Sequence, residues 1–137
     1  MPPPSLKALR ALQSLADLRW QQERRRLAEA QAVTGARQAA VDALGARREA
    51  ERDAIRDGTP NLQLAAAAAR FEGWAKSRNR TLLAATRQAE EAEQLARDRA
   101  AEEFGRLRAL EHVAKRAKRE ADRLRRAAQE RDGQPES

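Results

Sequence analysis

The chain lacks cysteine entirely, and it is poor in proline, glycine and aromatic residues. Of its 137 residues, none is cysteine, five are proline, six are glycine, two are Phe and two are Trp. Without cysteine there can be no disulfide framework, thiolate nucleophile or cysteine-based metal site. No apolar run of about 18 residues occurs either, so we expect no transmembrane helix. The first five residues, MPPPS, lack the basic and apolar regions of a secretory signal, which makes a cytoplasmic location the expectation.

Motifs that carry chemistry are also missing. The one histidine, His112, has neither HxxxH nor HExxH spacing, so no metal site is expected. The phosphate-binding patterns GxxxxGK[ST] and GxGxxG do not occur. If the chain forms only a thin pair of long helices, as the breaker cluster described below predicts, it offers no concave pocket in which carboxylates could acquire shifted pKa values. We therefore expect no enzyme activity and no cofactor.

The residues that are abundant favour long helices. The chain contains 32 Ala and 15 Leu, and 36% of its residues are charged. Alanine, leucine, arginine and glutamate are strong helix formers, and this composition is typical of a coiled coil or a long extended helix. The net charge of +7 rests on 24 Arg and four Lys. Such an excess favours an acidic partner, which could be nucleic acid, a membrane face or an acidic protein groove.

One cluster of helix-breaking residues, at positions 57–60, divides the chain. Gly58 can take the left-handed conformation that ends a helix, Thr59 can cap the next helix, and Pro60 fits its first position. The sequence therefore predicts a single all-α domain, an antiparallel two-helix coiled-coil hairpin with a longer second helix. We place helix 1 at about residues 5–57, the turn at 58–60, helix 2 at about 61–132 and a tail at 133–137.

Leucine recurs at every third position near the start of helix 1, which Ser5 is expected to cap. These leucines are Leu6, Leu9, Leu12, Leu15 and Leu18. A step of three residues falls about 60° short of a helical turn, so the five side chains wind around the helix. They form either a broad face against helix 2 or a surface that touches both helix 2 and an external partner.

Two stretches show the alternating 3–4 spacing of a coiled-coil seam. In helix 1 the seam is Leu27, Ala30, Thr34, Arg37, Val41, Leu44, Arg48, Glu51 and Ile55. In helix 2 it is Leu107, Leu110, Ala114, Ala117, Ala121, Leu124 and Ala128. Four polar residues in the first seam predict weak packing there.

Folding the chain near residues 58 and 59 would pair residues whose numbers sum to about 117. On that register Ser5 pairs near His112, and some 20 residues of helix 2 project past it. Residues 106–126 carry a net charge of +6, whereas residues 88–103 carry −4. The projecting segment is therefore basic and amphipathic, suited to a partner or simply solvated.

The same register brings Gly73 near Gly45 and leaves a gap between the helices. Phe71 and Trp74 either pack into this gap, as aromatic residues at helical spacing usually do, or remain exposed as a contact for a partner.

Together these features resemble the FliJ/YscO family, the stalk proteins of flagellar and type III secretion export. The likeness lies in the central turn, the longer basic second helix and residues 15–19 (LADLR), 27–31 (LAEAQ) and 108–116 (RALEHVAKR). The resemblance implies a hairpin similar to the γ stalk of rotary ATPases. It also implies a non-enzymatic cytoplasmic protein at the inner-membrane export apparatus. Its partners would be a hexameric export ATPase, which receives the free end of the hairpin, an export gate protein and export chaperones.

The resemblance also implies roles for individual residues. Phe71 and Trp74 would face the export gate. The residues facing the ATPase would be Leu9, Leu12, Leu15, Arg24, Arg25, Arg26, Arg119, Arg123, Arg125 and Arg126. Nucleic-acid binding and membrane insertion are not expected from it. Two alternatives stay open: a basic coiled coil that binds nucleic acid, and a scaffold coiled coil that associates only with itself.

Overall fold

The computed structural model describes residues 5–133, and all of these except Ser5 and residues 58–61 are helical. Helix α1 spans Leu6–Asp57 and helix α2 spans Leu62–Gly133, with 52 and 72 residues. The predicted all-α hairpin with a longer second helix is confirmed. The predicted tail, residues 133–137, lies outside the described residues except for Gly133, which is the last residue of α2. Neither α1 nor α2 contains a stretch apolar and long enough to cross a membrane.

Side chains that accept hydrogen bonds from free backbone N–H groups determine where each helix begins. The Ser5 hydroxyl accepts a hydrogen bond from the Ala8 N–H at 3.1 Å, which confirms the predicted cap. At the start of α2 the cap is Asn61, whose side-chain oxygen accepts a hydrogen bond from the Gln63 N–H at 2.8 Å. The prediction that Thr59 caps α2 and Pro60 begins it is wrong, because the bend continues to Asn61.

The bend comprises residues 58–61 and includes the predicted turn residues Gly58, Thr59 and Pro60. The expected left-handed conformation of Gly58 is wrong, since none of the glycines from residue 5 to residue 133 has a positive φ. Glycine is needed at position 58 because there is no room for a side chain. A Cβ at this position would lie 2.9 Å from the Ala54 carbonyl oxygen, closer than a methyl carbon can approach.

The chain forms two compact units. The bend unit consists of Arg26–Arg97 and contains the bend. The terminal unit consists of the residues up to Arg25 together with those from Asp98 onward. Within each unit a segment of α1 runs antiparallel to a segment of α2.

In the bend unit the helices are joined by an aliphatic layer. Leu44, Ala75 and Leu82 are buried, and Val41 and Phe71 are among the half-buried side chains packed against them. Most of the predicted α1 seam in this unit is at least half-buried, as expected. Its exceptions are Arg37, Glu51 and Ile55, which are exposed. Gly45 and Gly73, which were predicted to lie near each other and leave a gap, are both exposed, and a Cβ at either position would meet no atom within 4 Å.

In the terminal unit the seam consists mainly of small and aliphatic residues: Leu9, Ala16, Ala100 and Leu107 are buried. The ring of Trp20 lies against that of Phe104, with 5.2 Å between their centroids. This contact lies one heptad away from the predicted pairing, and the same register continued to the start of α1 would bring Leu6 opposite Lys118. The projecting basic segment is therefore shorter than expected. Of the predicted α2 seam, only Leu124 is exposed.

Candidate functional site

The leucines at the start of α1 wind from the seam onto the surface, as their spacing predicts. Leu9 is 3% exposed and belongs to the helix interface, whereas Leu12, Leu15 and Leu18 are 47%, 46% and 64% exposed. Leu9 is therefore not available to an external partner, which corrects its assignment as an ATPase-facing residue. We call Leu12, Leu15 and Leu18 the leucine face. It is an apolar surface that pairing of the two helices leaves uncovered.

The basic residues of the terminal unit lie mostly on the surface of α2. Arg123 forms an ion pair with Glu120 at 2.6 Å, and Arg125 forms one with Asp122. Arg119 and Arg126 are exposed and form no ion pair among residues 5–133. Exposed ion pairs between neighbouring turns of one helix contribute only about 0.3–0.5 kcal/mol. All four arginines can therefore contact an acidic partner at little cost in stability.

The arginine run at positions 24–26 is less uniform than its sequence suggests. The Arg24 guanidinium lies over the ring of Trp20, 4.8 Å from its centroid. Arg25 is exposed. Arg26 is exposed as well but belongs to the bend unit. Arg24 thus helps to cover an aromatic ring, and Arg25 is the member of the run in the terminal unit that remains directed to solvent.

Sequence reasoning missed the contact between Trp20 and Phe104. Trp20 precedes the predicted seam by seven residues from Leu27, so extending the 3–4 spacing backwards would have included it. The Arg108 guanidinium lies over the ring of Phe104, with 6.0 Å between the guanidinium carbon and the ring centroid. Each of the two rings therefore has its own arginine.

Phe71 and Trp74 have different environments in the bend unit. Phe71 is half-buried and packs against the aliphatic layer, whereas Trp74 is 49% exposed. Their ring centroids are 5.8 Å apart. The Arg47 guanidinium lies over both rings, 5.0 Å from Phe71 and 5.6 Å from Trp74. Phe71 thus follows the prediction of a packed residue, and Trp74 presents half of its surface to solvent.

An ion-pair cluster joins the two helices at the residue that follows Phe71. Glu72 of α2 accepts hydrogen bonds from Arg48 and, at 3.2 Å, from Arg52 of α1. The hydrogen bond from Arg48 is the main cause that lowers the pKa of the Glu72 carboxyl group. The same bond raises the pKa of the Arg48 guanidinium. Sequence reasoning missed the cluster, because neither the 3–4 spacing nor the charge pattern indicates which ion pairs form between the helices.

No arrangement suited to metal binding was found in the part of the chain that the structure describes. Within residues 5–133, no three side chains of the His, Cys, Asp and Glu types are grouped so that they could hold a metal ion. The features that remain are surfaces: the leucine face, the basic residues of α2 and the exposed half of Trp74.

The fold and these surfaces define a class of protein, the all-α helical hairpin with an exposed apolar face and an excess of arginine. Comparison with family models, with curated proteins and with solved structures finds no match to this chain.

Proposed function

We propose that this protein is a non-enzymatic stalk component of a flagellar or type III protein export apparatus. In this proposal the terminal unit inserts into a hexameric export ATPase, and the bend unit contacts the export gate through Trp74. The observation that carries the proposal is the leucine face. Three consecutive leucines of its series are about half exposed or more in a unit that already buries a complete seam.

Single exposed apolar side chains are ordinary, but a contiguous apolar patch on the surface of a folded unit marks a site of protein contact. The leucine face lies in a unit with 16 basic and 11 acidic residues, a net charge of +5. Leucines directed away from the seam, together with mobile basic side chains, suit a socket that surrounds the helices instead of touching one side. Because each exposed ionic contact is worth about 0–1 kcal/mol, binding would be multivalent and sensitive to salt.

The proposed gate contact depends on Trp74 and Arg47. An exposed tryptophan with an arginine stacked on it presents an apolar surface and fixed positive charge side by side. Tryptophan and arginine are both enriched at the energetic centres of protein interfaces. Phe71 connects this pair to the core of the unit, since it packs on the aliphatic layer and contacts the Trp74 ring.

The proposal is tested by measuring ATP hydrolysis by a purified export ATPase as this protein is added. The wild-type protein should promote hexamer assembly and raise the rate. Replacing all three residues of the leucine face with glutamate should abolish that effect. A matched control replaces Val33 and Leu83, two similarly exposed residues of the bend unit, with glutamate. The proposal fails if the wild-type protein has no effect, or if the control loses activity as completely as the leucine-face variant.

A second experiment separates the two proposed contacts. Changing Arg119, Arg123 and Arg126 to glutamate should weaken ATPase binding and leave binding to the gate protein unchanged. Trp74→Ala should have the opposite pattern in the same pull-down assay. Loss of both interactions in both variants would contradict a division of roles between the two units.

Nucleic-acid binding is the second candidate, and one observation favours it. Arg119 and Arg126 share the exposed surface of α2 with Lys115, Arg116 and Lys118, none of which forms an ion pair within residues 5–133. If they bind DNA phosphates, the logarithm of the affinity should fall by about 0.9 per tenfold rise in salt for each phosphate neutralised. Tight DNA binding with no effect on the ATPase would favour this function over the stalk.

A further inference from the structure

The two helices fail to bury one another next to the bend. Every residue from position 49 to position 67 is exposed, including the apolar residues Ile55, Leu62 and Leu64. Leu62 is 90% exposed and Leu64 is 58% exposed. Since Glu51 and Ile55 occupy predicted seam positions, the seam that joins α1 to α2 elsewhere in the bend unit is open here.

This opening forms a groove of about 680 Å³, which we call the bend groove. Its walls come from the last two turns of α1, the bend and the first two turns of α2. Its apolar part includes Ile55, Pro60, Leu62 and Leu64. The alanines that line the α2 wall, among them Ala65 and Ala68, have small side chains and allow another helix to approach closely.

The charge around the bend groove differs from that of the chain as a whole. The chain carries +7, but residues 51–68 contain two basic and three acidic side chains, a net charge of −1. Two copies of a protein with a charge of +7 repel each other at most orientations. The bend groove is a place where an apolar surface coincides with the loss of that repulsion.

The charges are also arranged in a way that suits contact with an identical surface. In a two-fold dimer the same patch meets itself, so any charges within a self-complementary patch must include both signs. Arg56 and Glu51 line the groove, and Asp57 follows Arg56 at the end of α1. An acidic residue at a helix C-terminus is unfavourable beside the negative end of the helix dipole. A basic side chain from a second copy would relieve that repulsion.

We propose that the bend groove is a homodimerisation surface, occupied by the bend of a second copy of this chain. In the dimer the exposed ends of α1 and α2 from both copies cover Ile55, Leu62 and Leu64. Thirteen residues line the groove, compared with about 20–30 residues on each side of a stable interface. The dimer should therefore be weak and its population should depend on protein concentration.

Sedimentation velocity over a wide range of protein concentration tests this proposal. The wild-type protein should shift from monomer to dimer as the concentration rises. The double variant Leu62→Glu/Leu64→Glu should raise the dissociation constant by at least about tenfold, or prevent dimerisation. Its helix content by circular dichroism should remain unchanged, because both leucines are exposed and contribute little to folding. The matched control Leu12→Glu/Leu18→Glu alters two exposed leucines of the terminal unit and should dimerise like the wild type.

A cross-linking experiment locates the contact independently. Because the chain has no cysteine, Thr59→Cys introduces a single thiol at the bend, and Ser14→Cys introduces one at an exposed position in the terminal unit. On oxidation, Thr59→Cys should form a disulfide-linked dimer much faster than Ser14→Cys.

Three outcomes would overturn the proposal. They are a wild-type protein that stays monomeric at all concentrations, a dimer that survives both glutamate substitutions, and a dimer lost in the control variant. The first would leave the bend groove available to a helix of another protein. None of these measurements involves the export ATPase, so the dimer and the proposed stalk function can fail separately.

Discussion

Both units bury leucine and alanine between their helices, but the bend unit adds an ion-pair cluster between α1 and α2, whereas the terminal unit adds one aromatic contact. In the bend unit Leu44 and Leu82 occupy the seam, and Glu72 of α2 binds two arginines of α1. In the terminal unit Leu9 and Leu107 occupy the seam, and Trp20 of α1 meets Phe104 of α2.

In both units the buried leucines stabilise the pairing of the helices, whereas the exposed leucines contribute little to it. Leu44 and Leu82 are buried, so selection for stability alone would explain them. Leu12, Leu15 and Leu18 are not needed to pair the helices, because Leu9, Ala16 and Leu107 already complete the seam. The exposed leucine face therefore calls for a reason other than folding, and binding a partner supplies one.

The largest expected effect comes from removing a buried leucine in either unit. Leu44→Ala and Leu107→Ala should each lower the free energy of unfolding by about 2–3 kcal/mol, since each deletes a buried side chain and leaves a cavity. The two tryptophans report on the units separately, because Trp20 belongs to the terminal unit and Trp74 to the bend unit. Fluorescence-detected urea unfolding in Trp20→Phe and Trp74→Phe backgrounds measures each unit by its own reporter.

If the units are energetically distinct, Leu44→Ala should shift mainly the Trp74 transition and Leu107→Ala mainly the Trp20 transition. Leu12→Ala, at an exposed position, should change the free energy of unfolding by less than about 0.5 kcal/mol at either reporter. Equal shifts at both reporters would show that the two units unfold as one.

The aromatic contact of the terminal unit should have a smaller effect. A double-mutant cycle with Trp20→Leu and Phe104→Leu should give a coupling energy of about 0.5–1.5 kcal/mol, as expected for two rings in contact. The same cycle on Phe71 and Trp74 provides the bend-unit comparison. We expect coupling of similar size there, because Trp74 and Phe104 are exposed to a similar extent, 49% and 43%. Absence of coupling between Trp20 and Phe104 would remove the feature that distinguishes the terminal unit.

Glycine substitutions should sharpen the account of the bend. Gly58→Ala should destabilise the protein by about 1 kcal/mol, because its Cβ collides with the Ala54 carbonyl oxygen. Gly73→Ala should stabilise it by about 0.5–1 kcal/mol, because that position is helical and a Cβ there meets nothing within 4 Å. Thermal unfolding of the two variants therefore tests the predicted loss of stability in one and the predicted gain in the other. A stabilising Gly58→Ala would contradict the described bend.

The smallest expected effect is the pH dependence contributed by Glu72. Its pKa is lowered from the ordinary value of 4.5, chiefly by the hydrogen bond from Arg48. A lowered pKa stabilises the folded protein fully above the ordinary value, and the stabilisation is lost as the pH falls through the folded-state pKa. Glu72→Gln should therefore flatten the loss of stability between neutral pH and acid pH. Arg37→Gln, which alters an exposed arginine of the same unit, should leave that pH profile unchanged.

The sequence predicted the hairpin, the Ser5 cap and much of both seams, because composition and 3–4 spacing determine which face of a helix is apolar. It did not predict the register. A heptad seam presents the same kind of face after every seven residues, so the pairing inferred from the bend was one heptad away from the contact between Trp20 and Phe104. The ion pair of Arg48 with Glu72 lies closer to the predicted pairing, and it was missed because seam spacing does not indicate which charged side chains meet between the helices. The winding of the leucines was predictable, since a step of three residues on a 3.6-residue helix must leave the seam.

Thiol protection tests whether the terminal unit is the surface that meets the proposed ATPase partner. Leu18→Cys and Leu83→Cys place single thiols at exposed positions of the terminal unit and the bend unit, respectively. Their rates of maleimide labelling are measured with and without the hexameric export ATPase. We predict that the ATPase slows labelling at position 18 and leaves position 83 unchanged. Protection at position 83 alone, or at neither position, would contradict the claim.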